Sequence, residues 1–114
     1  MKVLKIDGNV SLERLKNLSA VWGRAQNVSV VIKPYLTEIE MEHLVQIAIE
    51  LGPDDFGCVV LEGIAEMDHV PVRLLKRIFD SGDKGCIESV CLRNDLDPEL
   101  RLCCFGKELE HKLK

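Results

Sequence analysis

The chain has 114 residues, of which 46% are hydrophobic and 30% are charged, and its formal net charge at pH 7 is -4. This length and composition predict one globular domain, residues 1–114, with enough apolar surface to form a core without stabilising cross-links. No apolar run is long enough for a membrane span or a secretory signal, so we expect a cytoplasmic protein, and the acidic pI of about 5.4 argues against nucleic-acid binding.

The cysteines are five in number and include no CxxC pair. Most of them fall in apolar runs, where a thiol packs as a small hydrophobic group, so we predict reduced core cysteines. Cys103 and Cys104 are adjacent, and on a strand they would point to opposite faces, which argues against a shared zinc ion. We therefore expect no metal and no cofactor.

Charge is distributed unevenly along the chain. Residues 1–33 carry six basic and two acidic side chains, whereas residues 34–72 carry nine acidic side chains and no Lys or Arg. An acidic stretch repels phosphate backbones and attracts basic proteins or divalent cations. Glu38 and Glu42 are therefore candidate contacts for a partner with a basic surface. Alternatively, acidic residues stand there because they are favoured in the first turns of a helix.

The first third of the chain has the pattern of a strand–helix–strand unit. Val3–Ile6 is apolar and precedes a turn, which predicts a first strand. Ser11 can cap a helix whose apolar residues recur at helical spacing up to Gly23. Val28–Ile32 is the second predicted strand, and the proline that follows it cannot donate to a ladder.

A second helix and a third strand are predicted next. Thr37 and Glu40 have the spacing of a capping box, and an apolar stripe continues from there to Gly52. Cys58–Leu61 is apolar at every position, as expected of a central strand covered by helices on both faces.

The last third predicts one more helix and at least one more strand. Asp68 is a candidate cap for a helix that ends at Gly82, and the basic residues of this helix are interpreted as its solvated face. Ile87–Leu92 is predicted as a strand. Residues 97–105 fit either a helix or a final strand, and a short helix is expected in the tail.

Alternating strands and helices place the chain in the α/β class. We predict a mostly parallel four- to five-stranded sheet, built from consecutive βα units with covering helices. The pattern is compatible with the strand order of a wound sheet and with that of a solenoid.

The carboxyl ends of parallel strands are where such sheets bind ligands. Four charged residues fall there in the predicted sheet, and they define an alternative hypothesis: a small metal-dependent enzyme or metal-binding protein. The sequence contains no phosphate-binding glycine motif and no nucleophile elbow, so we name no catalytic residue and regard an enzyme as less favoured than a binding module. The four residues are Asp7, Lys33, Glu62 and Arg93.

Residues 59–64, Met67–Asp68 and 96–101 resemble the STAS domains of anti-sigma-factor antagonists. The resemblance implies an α/β domain with a protein-binding, regulatory role. Members with a phosphorylation switch carry serine after the aspartate, whereas His69 follows it here, so the resemblance implies binding without serine phosphorylation.

The spacing of residues 30–32, 59–61 and 90–92 is also similar to leucine-rich repeats of the ribonuclease-inhibitor type. That resemblance implies a solenoid with successive parallel strands. A degenerate receiver-like domain is a third alternative, in which Asp7 replaces the usual acidic pair.

These patterns together favour a protein-binding or regulatory module. Its predicted contacts are the acidic second helix, through Glu38 and Glu42, and the loop that carries Asp68 and His69. The expected partner is a protein with a basic surface, not a nucleic acid or a membrane, and the oligomeric state stays open.

Overall fold

The computed structural model describes residues 2–24, 27–52, 56–81 and 84–112. None of the helices in these ranges is both long and apolar enough to cross a membrane. The described residues form two strands and six helices in the order β1 (Lys2–Ile6), α1 (Leu12–Arg24), β2 (Val28–Ile32), α2 (Glu38–Leu51), α3 (Phe56–Ala65), α4 (Val72–Ser81), α5 (Lys84–Cys91) and α6 (Pro98–Lys112).

The predicted strand–helix–strand unit at the start of the chain is confirmed. The two strands are parallel, with Leu4 opposite Val30 and Ile6 opposite Ile32. The helix between them begins where the sequence predicts, because the Ser11 hydroxyl accepts a hydrogen bond from the backbone N–H of Arg14 at 3.0 Å.

The two-stranded sheet is covered on one face. Leu4 and Ile6 are buried in the core, and their neighbours in register on β2 point to the same side. On the other face, Val3 and Val31 are 46% and 44% exposed. A sheet of two strands gains little stability alone, so this one depends on the helices against its inner face.

Helix α2 begins and ends where the sequence predicts. The backbone N–H of Glu40 donates to the Thr37 hydroxyl at 3.1 Å, and the Glu40 carboxylate accepts from the Thr37 N–H at 2.9 Å. This reciprocal pair is a capping box. At the other end, the N–H of Gly52, which has a φ of 134°, donates to the carbonyl of Ala48.

The predicted four- to five-stranded sheet is wrong. Cys58–Leu61 and Ile87–Leu92, both predicted as strands, lie in α3 and at the end of α5, and the described residues form a sheet of β1 and β2 only. A short apolar run fits a buried strand and a buried helix equally well. The wider spacing decides: in α3, Phe56, Val60 and Ile64 recur every four residues and are fully buried.

The chain after α3 also differs from the prediction. Helix α4 begins at Val72, and Asp68 lies in the preceding turn instead of capping the helix. Of residues 97–105, predicted as helix or strand, all but the first belong to α6. The predicted helix end at Gly82 lies outside the described residues.

Helix α3 is the centre of the core, with α2, α4, α5 and β2 packed around it. It packs tightly against the end of α2 at Gly57, where an added Cβ would collide with the backbone carbonyl oxygens of Ala48 and Gly52. The chain can therefore fold back from α2 into α3 at this distance only because residue 57 has no side chain.

The prediction of reduced cysteines is wrong for two of the five. Cys91 at the end of α5 and Cys104 on α6 form a disulfide, with their Cα atoms 5.7 Å apart and a sequence separation of 13 residues. Leu96 and Leu100, which lie between the two cysteines in sequence, are buried in the core. Helix α6 is thus joined to the rest of the domain by a covalent link as well as by apolar packing.

Candidate functional site

The acidic second helix, a predicted contact surface, faces the basic side of α4. The Arg73 guanidinium binds the carboxylate of Glu38 and, at 3.2 Å, that of Glu42. These hydrogen bonds raise the pKa of Arg73 above its ordinary value, the bond to Glu38 contributing most. One turn further along, Arg77 donates to Gln46 at 2.5 Å. The predicted acidic patch and the predicted solvated basic face therefore pair within the molecule.

The four residues of the alternative ligand site are divided between two places. Asp7 and Lys33 follow β1 and β2 at the same end of the sheet, and the Lys33 ammonium lies 4.0 Å from Glu40. Glu62 lies on α3, where its carboxylate contacts Cys58. Arg93 makes its contacts with the turn after α3. Among the described contacts, none joins any two of these four residues, so they do not form one ligand site.

Arg93 organises the turn that follows α3. Its Nη1 donates to the carbonyl oxygen of Ala65 at 2.7 Å and to that of Met67 at 2.6 Å. Its Nε and Nη2 each donate to Asp95 at 2.9 Å, and the Arg93 side chain is only 9% exposed. These hydrogen bonds hold the pKa of Asp95 below its usual range. The guanidinium therefore closes the carboxyl end of α3, where carbonyl oxygens lack helical partners.

This turn carries three of the chain's exposed polar side chains, Glu66, Asp68 and His69. His69 has a φ of 58°, a left-handed conformation that is uncommon for residues other than glycine. Glu66 and Asp68 line a shallow depression of about 340 Å³, which we call the acidic depression. Arg93 is bound to Asp95, whereas the carboxylates of Glu66 and Asp68 are exposed to solvent.

A second, mostly apolar groove runs along the outer edge of β2, and we call it the edge groove. Its volume is about 370 Å³. One wall is the strand and its continuation, and the other is the exposed side of α3. The strand wall consists of Val30, Val31, Ile32 and Pro34, and the helix wall consists of Val59, Gly63, Glu66 and Met67.

Gly63 keeps the two walls of the edge groove close together. A Cβ at this position would lie 2.5 Å from Cδ1 of Ile32. Glycine inside a helix costs about 1 kcal/mol relative to alanine, so its presence in α3 has a packing reason. The reason here is contact between the helix and the edge of the sheet.

The outer edge of β2 presents unpaired backbone groups to this groove. The N–H of Lys33 donates to the carbonyl of Ile6 at 2.8 Å, so by alternation Ser29 and Val31 also face β1. The N–H and C=O groups of Val30 and Ile32 then point outward. In the described part of the chain, no backbone group pairs with them from that side.

The groove connects with the acidic depression, since Glu66 and Met67 line both. The groove and the depression together are apolar along the strand and acidic at Glu66 and Asp68. Tyr35 follows Pro34, a residue of the strand wall, and has 96% of its surface exposed and a φ of 60°.

Two thiols and a carboxylate meet where α3 packs on α5. The sulfur of Cys86 lies 3.4 Å from that of Cys58, and the Cys58 sulfur lies 3.4 Å from Oε1 of Glu62. Cys86 is fully buried and the other two are partly buried. A ligand atom from each residue lies within 4.8 Å of the others, a spacing at which one metal ion can contact all three.

Comparison of the chain with protein-family models, with curated proteins and with solved structures gave no match. The segments that resemble STAS strands and leucine-rich-repeat strands after residue 58 are helical here.

Sequence reasoning finds part of this site and misses the rest. It selects Asp68, His69 and Arg93, which the structure places around one turn. It misses Glu66, Tyr35 and the outer edge of β2, because an open edge becomes visible only once the following segment is known to be helical. A glycine between Glu62 and Ile64 in an apolar run is the one local signal of close backbone approach.

Proposed function

We propose that this protein is a binding module that takes an extended segment of another protein into the edge groove. The bound segment adds a third strand beside β2, with apolar side chains in the groove and a basic side chain in the acidic depression. Strand addition at an exposed sheet edge is a recurring mode of peptide recognition.

The single observation that carries the proposal is the outward-facing backbone of Val30 and Ile32. Unpaired edge groups are a template for another strand, and proteins usually cover or blunt them. Here the edge belongs instead to one wall of a mostly apolar groove. A partner strand would satisfy the backbone groups and cover exposed apolar surface at the same time.

Side chains around the groove set the partner's chemistry. Glu66 and Asp68 have no basic neighbour among the described ion pairs, whereas Glu38 and Glu42 are paired with Arg73. A basic residue is therefore expected where the segment leaves the groove. Tyr35, which follows Pro34 in the strand wall, offers an exposed aromatic ring, a residue type enriched in binding hot spots.

The experiment is selection from a display library of random peptides, followed by hydrogen exchange on the complex. Enriched peptides are expected to alternate apolar residues and to carry Lys or Arg near one end. On binding, the amide protons of Val30 and Ile32 should become protected. Those of Ser29 and Val31 already face β1 and serve as internal controls within the same strand.

A matched pair of charge reversals tests the acidic end. Glu66→Lys should weaken binding about tenfold, since it places a cation against the peptide's basic residue. Glu13→Lys, on the exposed side of α1, should leave binding unchanged. Peptides that bind without protecting Val30 and Ile32, or a library that yields no binder, would refute the proposal. So would protection at these residues that appears only with self-association of the chain.

A further inference from the structure

Helix α3 presents a third surface besides its core face and its groove face. Cys58 and Glu62 are four residues apart, so they lie on the same side of the helix, one turn from each other. This side turns toward α5, where Cys86 is buried. Two thiols and a carboxylate are thus brought together by packing of two helices that are distant in sequence.

The distances between these groups match the edges of a zinc coordination tetrahedron. With Zn–S bonds of about 2.3 Å, two thiolate sulfurs on one zinc lie about 3.8 Å apart, and a sulfur and a carboxylate oxygen about 3.6 Å. The corresponding distances here are both 3.4 Å. Helix packing therefore brings two of the three ligand pairs to within a few tenths of an ångström of the required separation, and the third pair, Cys86 with Glu62, lies within 4.8 Å.

The chemistry of the three groups favours a borderline-soft divalent ion. Thiolates select zinc and its tetrahedral substitutes over magnesium or calcium, which prefer oxygen ligands. Two thiolates and one carboxylate also neutralise the charge of the ion with one negative charge to spare. Three ligands from the protein leave the fourth coordination position of a tetrahedral ion for water or another donor.

We propose that Cys58, Glu62 and Cys86 form a binding site for Zn²⁺. On binding, each thiol loses its proton to solvent, two Zn–S bonds and one Zn–O bond form, and no electron is transferred. The ion links α3 to α5 and fixes the helix whose neighbouring side, which carries Val59 and Gly63, forms a wall of the edge groove. The site is independent of peptide binding and is tested without a peptide.

The test uses the full chain, purified without chelators under nitrogen with the Cys91–Cys104 disulfide intact. Titration with Co²⁺ should give one equivalent of uptake, a thiolate-to-cobalt charge-transfer band and visible bands typical of a tetrahedral ion. Zn²⁺ should displace the cobalt and abolish both. Elemental analysis of protein grown with added zinc should give one zinc per chain.

Four variants identify the ligands. Cys58→Ser and Cys86→Ala should abolish the charge-transfer band, and Glu62→Gln should weaken cobalt binding at least about tenfold while retaining the band. Cys103→Ser changes an exposed cysteine on α6 and should match the wild type. Circular dichroism reports whether each variant keeps its helices.

Three results would overturn the proposal. One is wild-type protein that takes up neither ion while Cys58 and Cys86 are reduced. Another is a disulfide between Cys58 and Cys86 in the purified protein, detected by mass spectrometry. The third is unchanged uptake by the folded Glu62→Gln and Cys58→Ser variants.

Discussion

Gly8 lies directly beneath the side chain of Glu40, so that a Cβ on Gly8 would occupy the space of the Glu40 carboxylate and lie 2.6 Å from its Cβ. The turn after β1 is thereby packed against the first turn of α2. Glu40 must hold its position, because its carboxylate completes the capping box with Thr37.

Gly8→Ala should destabilise the protein by about 1–3 kcal/mol, since the added methyl group displaces Glu40 from the cap. Urea denaturation measures the change in the free energy of unfolding. Gly23→Ala is the matched control, because an added Cβ there meets nothing within 4 Å and alanine favours the helix. Equal stability of Gly8→Ala and the wild type would show that the turn moves away from α2 without cost.

Stability should fall in acid partly through Glu40. Its hydrogen bond from the Thr37 backbone lowers the pKa of this carboxyl below its ordinary value of 4.5. As the pH falls below 4.5, the unfolded state therefore binds a proton at Glu40 more readily than the folded state does. The stabilisation that the Glu40 carboxylate gives to the folded state is fully present above pH 4.5, and it is lost as the pH falls through the lower pKa of the folded state. Denaturation at a series of acidic pH values should show a smaller loss for Glu40→Gln than for the wild type. Glu88→Gln, on the exposed side of α5, should follow the wild type.

Reduction of the Cys91–Cys104 disulfide should weaken the attachment of α6. A link closing a loop of this length stabilises a protein by about 3 kcal/mol in the chain-entropy description. Reductant should therefore lower the denaturation midpoint of the wild type, and of Cys103→Ser to the same extent. Cys91→Ser should unfold at one midpoint whether reductant is present or not. A wild-type midpoint that does not respond to reductant would contradict the predicted role of the link.

Arg93→Met should cost about 2–3 kcal/mol of folding free energy. Methionine keeps part of the apolar stem but leaves the carbonyl oxygens of Ala65 and Met67 without their charged donor. Arg101→Met, at an exposed position on α6, should change stability little. If the two variants unfold at the same urea concentration, the turn after α3 does not depend on the guanidinium.

The sequence is sufficient for elements whose signals are local. Ser11 and the Thr37–Glu40 pair mark helix starts through hydrogen bonds within one turn, and β1–α1–β2 and α2 follow from them. The apolar run 58–61 has no such signal, since every position is hydrophobic. There the four-residue spacing of Phe56, Val60 and Ile64 outweighs the β-propensity of the valines, and the extended sheet does not form.

The candidate sites depend on contacts between distant segments and so are less visible in the sequence. Asp68 and His69 are in the predicted region because turn residues and charge identify a loop. The meeting of Cys86 with Cys58 depends on α5 packing against α3, a relationship that no short pattern in the chain specifies. The pairing of Arg73 with Glu38 is of the same kind, since it joins α4 to α2 across 35 residues of sequence.

The order of the elements has a consequence for synthesis. The ribosome completes β2 well before it makes α3, the helix that walls the edge of that strand. Until α3 emerges, the strand edge is accessible along its whole length to neighbouring nascent chains and to chaperones. A nascent chain of this topology therefore exposes an unpaired strand edge for as long as α3 is still missing, and the order of the elements along the chain sets the length of that interval.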